Sequence, residues 1–101
     1  MNENELFPEV LQAVAGGDYT VYAYMNDGTV RLLDMKPLIE RGNLFEKLRN
    51  REFFESVTVM NKTVAWDLSG NRDPYNCIDI DPFTVWECQE VPDPPADKGK
   101  R

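Results

Sequence analysis

Polar and apolar residues alternate through the first third of the chain, and the period then changes. Residues 9–15 alternate loosely, with Val10, Gln12 and Val14 on one face and Leu11, Ala13 and Ala15 on the other. Gly16-Gly17-Asp18 predicts a turn, because glycine takes positive φ without steric cost. Residues 19–25, Tyr-Thr-Val-Tyr-Ala-Tyr-Met, are the β-branched and aromatic types that suit a pleated surface. Asn26-Asp27-Gly28 then predicts a hairpin turn, since these residues tolerate left-handed backbone. Residues 29–34 supply the next strand, and the three segments read as an antiparallel meander.

Residues 35–42 change to helical character. Pro37 suits the first turn of a helix, where its missing N–H costs nothing, and Gly42 suits the stop. Asn43 with Glu46 three residues on predicts a capping box, and Leu44, Phe45 and Leu48 form an apolar helical stripe. Asn50 caps a second short turn that points Phe53 and Phe54 inward. Strand character returns at 56–60 and 63–67, joined by the two-residue loop Asn61-Lys62. Residues 68–74 read as loop and 75–80 as a short edge strand. Asp81 as cap and Pro82 at the first position predict one last helical turn. The sum is an α+β fold: an antiparallel sheet, made of a three-stranded meander and a hairpin, with short helices on one face. The expected organisation is an extension over 1–8, a single domain over 9–88, and a disordered tail rich in proline and charge over 89–101.

Composition narrows the chemistry. The 101 residues include no histidine, which removes Ser-His-Asp and Cys-His catalysis and any zinc site that uses histidine. Eleven Lys and Arg against 18 Asp and Glu give a net charge of −7, which argues against binding to a nucleic-acid backbone. No apolar run approaches the ~18 residues of a membrane span, and the acidic start, Met1-Asn2-Glu3, is unlike a signal peptide. The chain is expected to be cytoplasmic, with Cys77 and Cys88 reduced.

The charge is uneven. Residues 1–30 carry five acids and no base, residues 31–62 carry seven bases and five acids, and residues 63–101 carry eight acids and four bases. The middle segment therefore holds a basic stripe of Lys36, Arg41, Lys47, Arg49 and Arg51, interleaved with Glu40, Glu46, Glu52 and Glu55. It reads either as a solvated helical face or as a surface complementary to an acidic protein partner. Asp67, Ser69, Asn71 and Asp73 space their oxygens as a calcium loop does. However, Arg72 stands where that loop needs glycine, and Ile78 where it needs a bidentate Glu, so an ordinary polar turn is expected. Asp79 and Asp81 form an Asp-x-Asp that could hold a divalent ion weakly, with capping and turn contacts the plainer reading. No catalytic residues, cofactor or strong metal set emerge. The four tyrosines and two tryptophans are expected mostly in the core or in cross-strand pairs, and any left exposed would form a binding patch.

Several of these features together resemble one bacterial family, the domain of unknown function 2442. They are residues 19–25, Asp27-Gly28, Asp34 ahead of Pro37-Leu38, the helical run through Leu44, Leu48 and Phe54, the strand ending at Trp66, and Asp81-Pro82-x-Thr84-Val85-Trp86. The resemblance implies an α+β fold. It also implies a place beside a second small protein in a toxin–antitoxin-like pair, with this chain as the neutralising partner. The helix-turn-helix domain that some members carry is not expected here, because a proline-rich stretch follows Trp86. The expectation is a non-enzymatic protein-interaction module whose partner is encoded by a neighbouring gene, the alternative being a small-ligand-binding regulatory domain. A homodimer is also expected to be feasible, because small sheets often hide an edge or an apolar face by pairing.

Overall fold

The strict alternation of residues 20–25 organises the molecule. The computed structural model describes residues 7–92, in which β1 (Val10–Ala15), β2 (Thr20–Met25) and β3 (Val30–Asp34) form the antiparallel meander that the sequence predicts. Val21, Ala23 and Met25 of β2 are buried, while Thr20, Tyr22 and Tyr24 face the other way. After β3 come α1 (Lys36–Arg41), a 3-10 segment (Asn43–Arg49) and α2 (Arg51–Phe54). The hairpin of β4 (Thr58–Met60) and β5 (Thr63–Asp67) follows, then β6 (Cys77–Asp79), α3 (Pro82–Trp86) and β7 (Gln89–Val91). The fold is α+β, with two antiparallel sheets ordered β1-β2-β3-β7 and β4-β5-β6.

One core serves both sheets. Val21, Ala23, Met25 and Leu33 of the larger sheet meet Val64, Trp66 and Ile78 of the smaller one. The helical segments close it, each contributing a buried side chain: Ile39, Leu48, Phe54 and Val85. Trp66 is fully buried, tilts against Phe54 at 5.7 Å, and donates its Nε1–H to the Phe54 carbonyl at 2.8 Å. That bond satisfies the ring's only polar atom, which would otherwise be costly to bury. The sheets also join at their margins, where the Val10 amide donates to the Lys62 carbonyl at 2.9 Å.

Local turn chemistry accounts for most of the connections. Gly28 and Gly42 take φ of 89° and 85°, as the hairpin turn and the helix stop require. Asn61 and Lys62 both have positive φ, the geometry of a two-residue hairpin turn. The Asn50 side chain accepts from the Phe53 amide at 3.0 Å, and that of Asp81 from the Phe83 amide at 2.8 Å, so both caps form as expected.

Four expectations are corrected. Residues 89–91 are not tail: β7 pairs with β3, with Val91 opposite Val30 and Gln89 opposite Leu32, and so extends the domain beyond residue 88. Residues 93–101, the rest of the expected tail, and residues 1–6 of the expected extension lie outside the described residues. Val10 and Val14 do not share a face. A register shift between Val10 and Gln12 leaves Leu11 as an extra residue, so Val10 joins Ala13 and Ala15 on the core side. In the turn at 16–19 the positive φ falls on Asp18 and Tyr19, not on the glycines. Gly16 is needed for space, since a Cβ there would meet Thr20 Oγ1 at 2.7 Å and the Tyr22 ring at 2.9 Å. Finally, Asn43 forms no capping box; it takes φ of 61° directly after Gly42, and no side chain caps the 3-10 segment.

Candidate functional site

The basic stripe divides into two groups once folded. Lys36 and Arg51 are engaged within the chain. The Lys36 ammonium lies 3.0 Å from an Asp34 carboxylate oxygen and 3.2 Å from Asp18. The Arg51 guanidinium meets Glu55 at 2.8 Å and donates to the Gly16 carbonyl at 2.7 Å. It also lies over the rings of Tyr19 and Phe54, 5.2 and 5.1 Å from their centroids. Arg51 thereby fastens the β1–β2 turn to the helical layer. Tyr19 adds to this by donating its hydroxyl to the Arg49 carbonyl at 2.7 Å and packing edge-on against Phe54.

Arg41, Lys47 and Arg49 are exposed and, among the described residues, make no ion pair. Arg41 ends α1, while Lys47 and Arg49 lie in the last turn of the 3-10 segment. Leu44, 44 % exposed, lies on the same stretch of chain. A cleft of about 370 Å³ is lined by Asp18, Tyr19, Lys36, Ile39, Glu40 and Arg49. A second cleft, of about 420 Å³, is lined by Phe7, Pro8, Glu9, Asn26 and Lys62. There Asn26 donates to the Phe7 carbonyl at 3.0 Å and accepts from the Glu9 amide at 3.3 Å.

The remaining sequence candidates hold the backbone. Asp27 accepts from the Thr29 amide at 3.0 Å and its hydroxyl at 2.7 Å. Partial desolvation raises the Asp27 carboxyl, but these bonds and the nearby Arg31 outweigh it and hold the group below the usual carboxylate value. Asp34 is lowered by the Lys36 ammonium and amide, and Lys36 is raised by Asp34 and Asp18. In the stretch that resembles a calcium loop, Asp67 accepts from the amides of Ser69, Gly70 and Arg72 at 3.1, 3.0 and 2.7 Å. Desolvation raises Asp67, yet the three amides leave it lowered overall. Its oxygens therefore shape a polar turn.

Asp79 and Asp81 serve separate tasks. Asp79 accepts from the Asn61 side chain at 3.3 Å, and Asp81 caps α3 over Pro82. Among the described residues no three Cys, Asp or Glu side chains gather to hold a metal ion. Cys77 and Cys88 are free thiols. Burial pushes both up, helped at Cys77 by Asp79, Asp67 and Asp73, so neither is activated as a nucleophile. Thr84 is exposed, and its carbonyl accepts from the Cys88 thiol at 3.3 Å. Trp86 lies under the Arg31 guanidinium at 4.4 Å. Tyr75 and Phe83 are exposed, as the sequence allowed for a minority of aromatics.

Among the described residues no helix is long and apolar enough to cross a membrane. No family model matches the chain, and no curated protein or solved structure matches it either.

Proposed function

We propose that this chain is a non-enzymatic protein-interaction module that docks an acidic partner protein on the surface formed by Arg41, Lys47 and Arg49. One observation carries the reading. These three cations are left without intramolecular ion pairs among the described residues, on a chain of net charge −7. Opposed charges across an interface steer encounter and fix orientation, and Leu44, exposed on the same stretch of chain, would add an apolar contact. The specific form suggested by the resemblance to the domain of unknown function 2442 is the neutralising member of a bacterial two-protein system, which masks its partner by covering it. The test is a pull-down with the product of the neighbouring gene. Joint replacement of Arg41, Lys47 and Arg49 by Glu is expected to weaken capture about tenfold or more, with sharper loss in high salt for the parent chain. Full capture by the triple variant defeats the proposal.

The alternative, a small-ligand regulatory domain, draws support from the 370 Å³ cleft, whose size falls within the range of ligand sites. Its walls are largely charged, with Tyr19 and Ile39 the apolar contributions, which favours the protein partner. Heat uptake on titration with zwitterionic metabolites, lost in Arg49→Ala, would reverse that preference.

A further inference from the structure

Two cations line the 370 Å³ cleft, and they differ in what they have left to offer. The Lys36 ammonium is surrounded by three oxygens: the Asp18 carbonyl at 3.0 Å, the Asp18 carboxylate at 3.2 Å and the Asp34 carboxylate at 3.0 Å. An ammonium has three protons to donate, so Lys36 is fully used. The Arg49 guanidinium, by contrast, has no hydrogen bond, ion pair or ring contact among the described residues. Its backbone is nevertheless held. The Tyr19 hydroxyl donates to the Arg49 carbonyl at 2.7 Å, and Tyr19 is itself packed against the Phe54 ring at 5.0 Å and the Arg51 guanidinium at 5.2 Å. Arg41 and Lys47, also without ion pairs among the described residues, are not part of the cleft lining. Glu40 is the cleft's other charge with no ion pair among the described residues, and buried Ile39 and the Tyr19 ring supply its apolar part.

We propose that this cleft is the socket for a single carboxylate side chain of the acidic partner, an Asp or Glu held by Arg49. The proposal rests on the docking surface assigned above and names the group that this surface reads. A planar guanidinium meets a carboxylate through two parallel N–H donors, and an arginine on a held backbone has less freedom to lose when it pairs. A charge pair shielded in a cleft is also stronger than one on open surface. Arg49 is therefore the holding contact, while Arg41 and Lys47 steer the partner from outside. The volume suits this occupant. It lies near the lower end of the ~300–1,000 Å³ range of ligand sites, room for one side chain and its flanking backbone. Glu40 sets the charge limit. A carboxylate brings one negative charge, which Arg49 balances. A phosphate brings about −1.5 to −2, and the excess faces Glu40 across the same cleft. The socket therefore prefers a carboxylate to a phosphate group.

Blocked tripeptides test this: acetyl-Ala-Glu-Ala-amide and its Gln and phosphoserine counterparts, titrated into the isotope-labelled full chain and followed by NMR. The Glu peptide is expected to give saturable shifts at the amides of Tyr19, Ile39, Glu40 and Arg49, with a dissociation constant on the order of a few millimolar. The Gln peptide should bind at least about fivefold more weakly, and the phosphoserine peptide no more tightly than the Glu peptide. Arg49→Gln should abolish the shifts. Glu40→Gln should strengthen the phosphoserine peptide more than the Glu peptide. Both positions are exposed, so neither variant threatens the fold. No saturable shift with the Glu peptide up to about 50 mM overturns the proposal. So does binding that Arg49→Gln leaves intact, or a phosphoserine peptide that binds more tightly than the Glu peptide. Pull-down with the product of the neighbouring gene separates this socket from the surface around it. If Arg49→Gln alone is captured as the parent is, while the triple Glu variant is lost, the docking surface stands and the socket falls. Full capture of the triple variant defeats the surface itself.

Discussion

The two sheets treat their central strands differently. In the smaller sheet, Thr63, Val64, Ala65 and Trp66 of β5 are each at most 2 % exposed, so the strand is sealed on both faces. In the larger sheet, β2 is sealed on one face, while Tyr22 and Tyr24 on the other are half-buried. Both strands are apolar along most of their length, so hydrophobicity does not separate them. What does is the presence of covering chain. The smaller sheet is a structural anchor whose apolar residues are used within the chain. The larger one leaves Val14 39 % exposed and Tyr22 and Leu32 partly exposed on its outer face.

The contrast can be tested by substitution. The largest effect is expected from Trp66→Ala, which empties the centre of the core and strands the Phe54 carbonyl. A loss of about 3–5 kcal/mol is expected in urea denaturation. Thr63→Val removes the hydroxyl that donates to the Ile80 carbonyl in a buried setting, and about 1–3 kcal/mol should follow. Val14→Thr, on the outer face of the larger sheet, should change the unfolding free energy by no more than about 0.5 kcal/mol. If it costs as much as Thr63→Val, the outer face is covered within the monomer and the contrast fails.

Acid supplies the mildest test. Asp34 and Asp67 have lowered carboxyls, set by the Lys36 ammonium in one case and, against desolvation, by the loop amides in the other. A lowered folded value means stability that is complete above the ordinary value of 3.8 and is lost as pH falls through the folded value. Stability should therefore decline below about pH 4, and Asp67→Asn should flatten the decline in acid-titrated thermal melts. Asp34 ends a strand of the larger sheet and Asp67 one of the smaller, so this test probes both sheets alike.

What the sequence made legible was local. Asp27-Gly28, Asn61-Lys62, Asn50 and Asp81-Pro82 each determine a turn or cap within four residues, and each does so in the fold. Features that depend on distant partners were not legible. Gln89-Glu90-Val91 has no strand signature of its own and becomes β7 only because β3, some sixty residues earlier, offers an edge. The bulge at Leu11 follows from pairing with β2, and it reverses the faces that alternation alone assigns to Val10 and Val14. The same limit governs the basic stripe. Its five members look alike in sequence. Arg51 is engaged because the Gly16 carbonyl and the Tyr19 ring, both more than thirty positions away, come to it. The outer face had a partial signal in the Tyr-x-Tyr of β2, but its extent required the register of all four strands.

The late position of β7 also bears on how the chain is made. A ribosome delivers residues in order, so β3 emerges early and waits with one edge unpaired while more than fifty further residues follow it. During that interval the nascent chain carries an open edge beside an apolar face, the combination most prone to pairing with a neighbour. Pairing with Gln89–Val91 closes that edge.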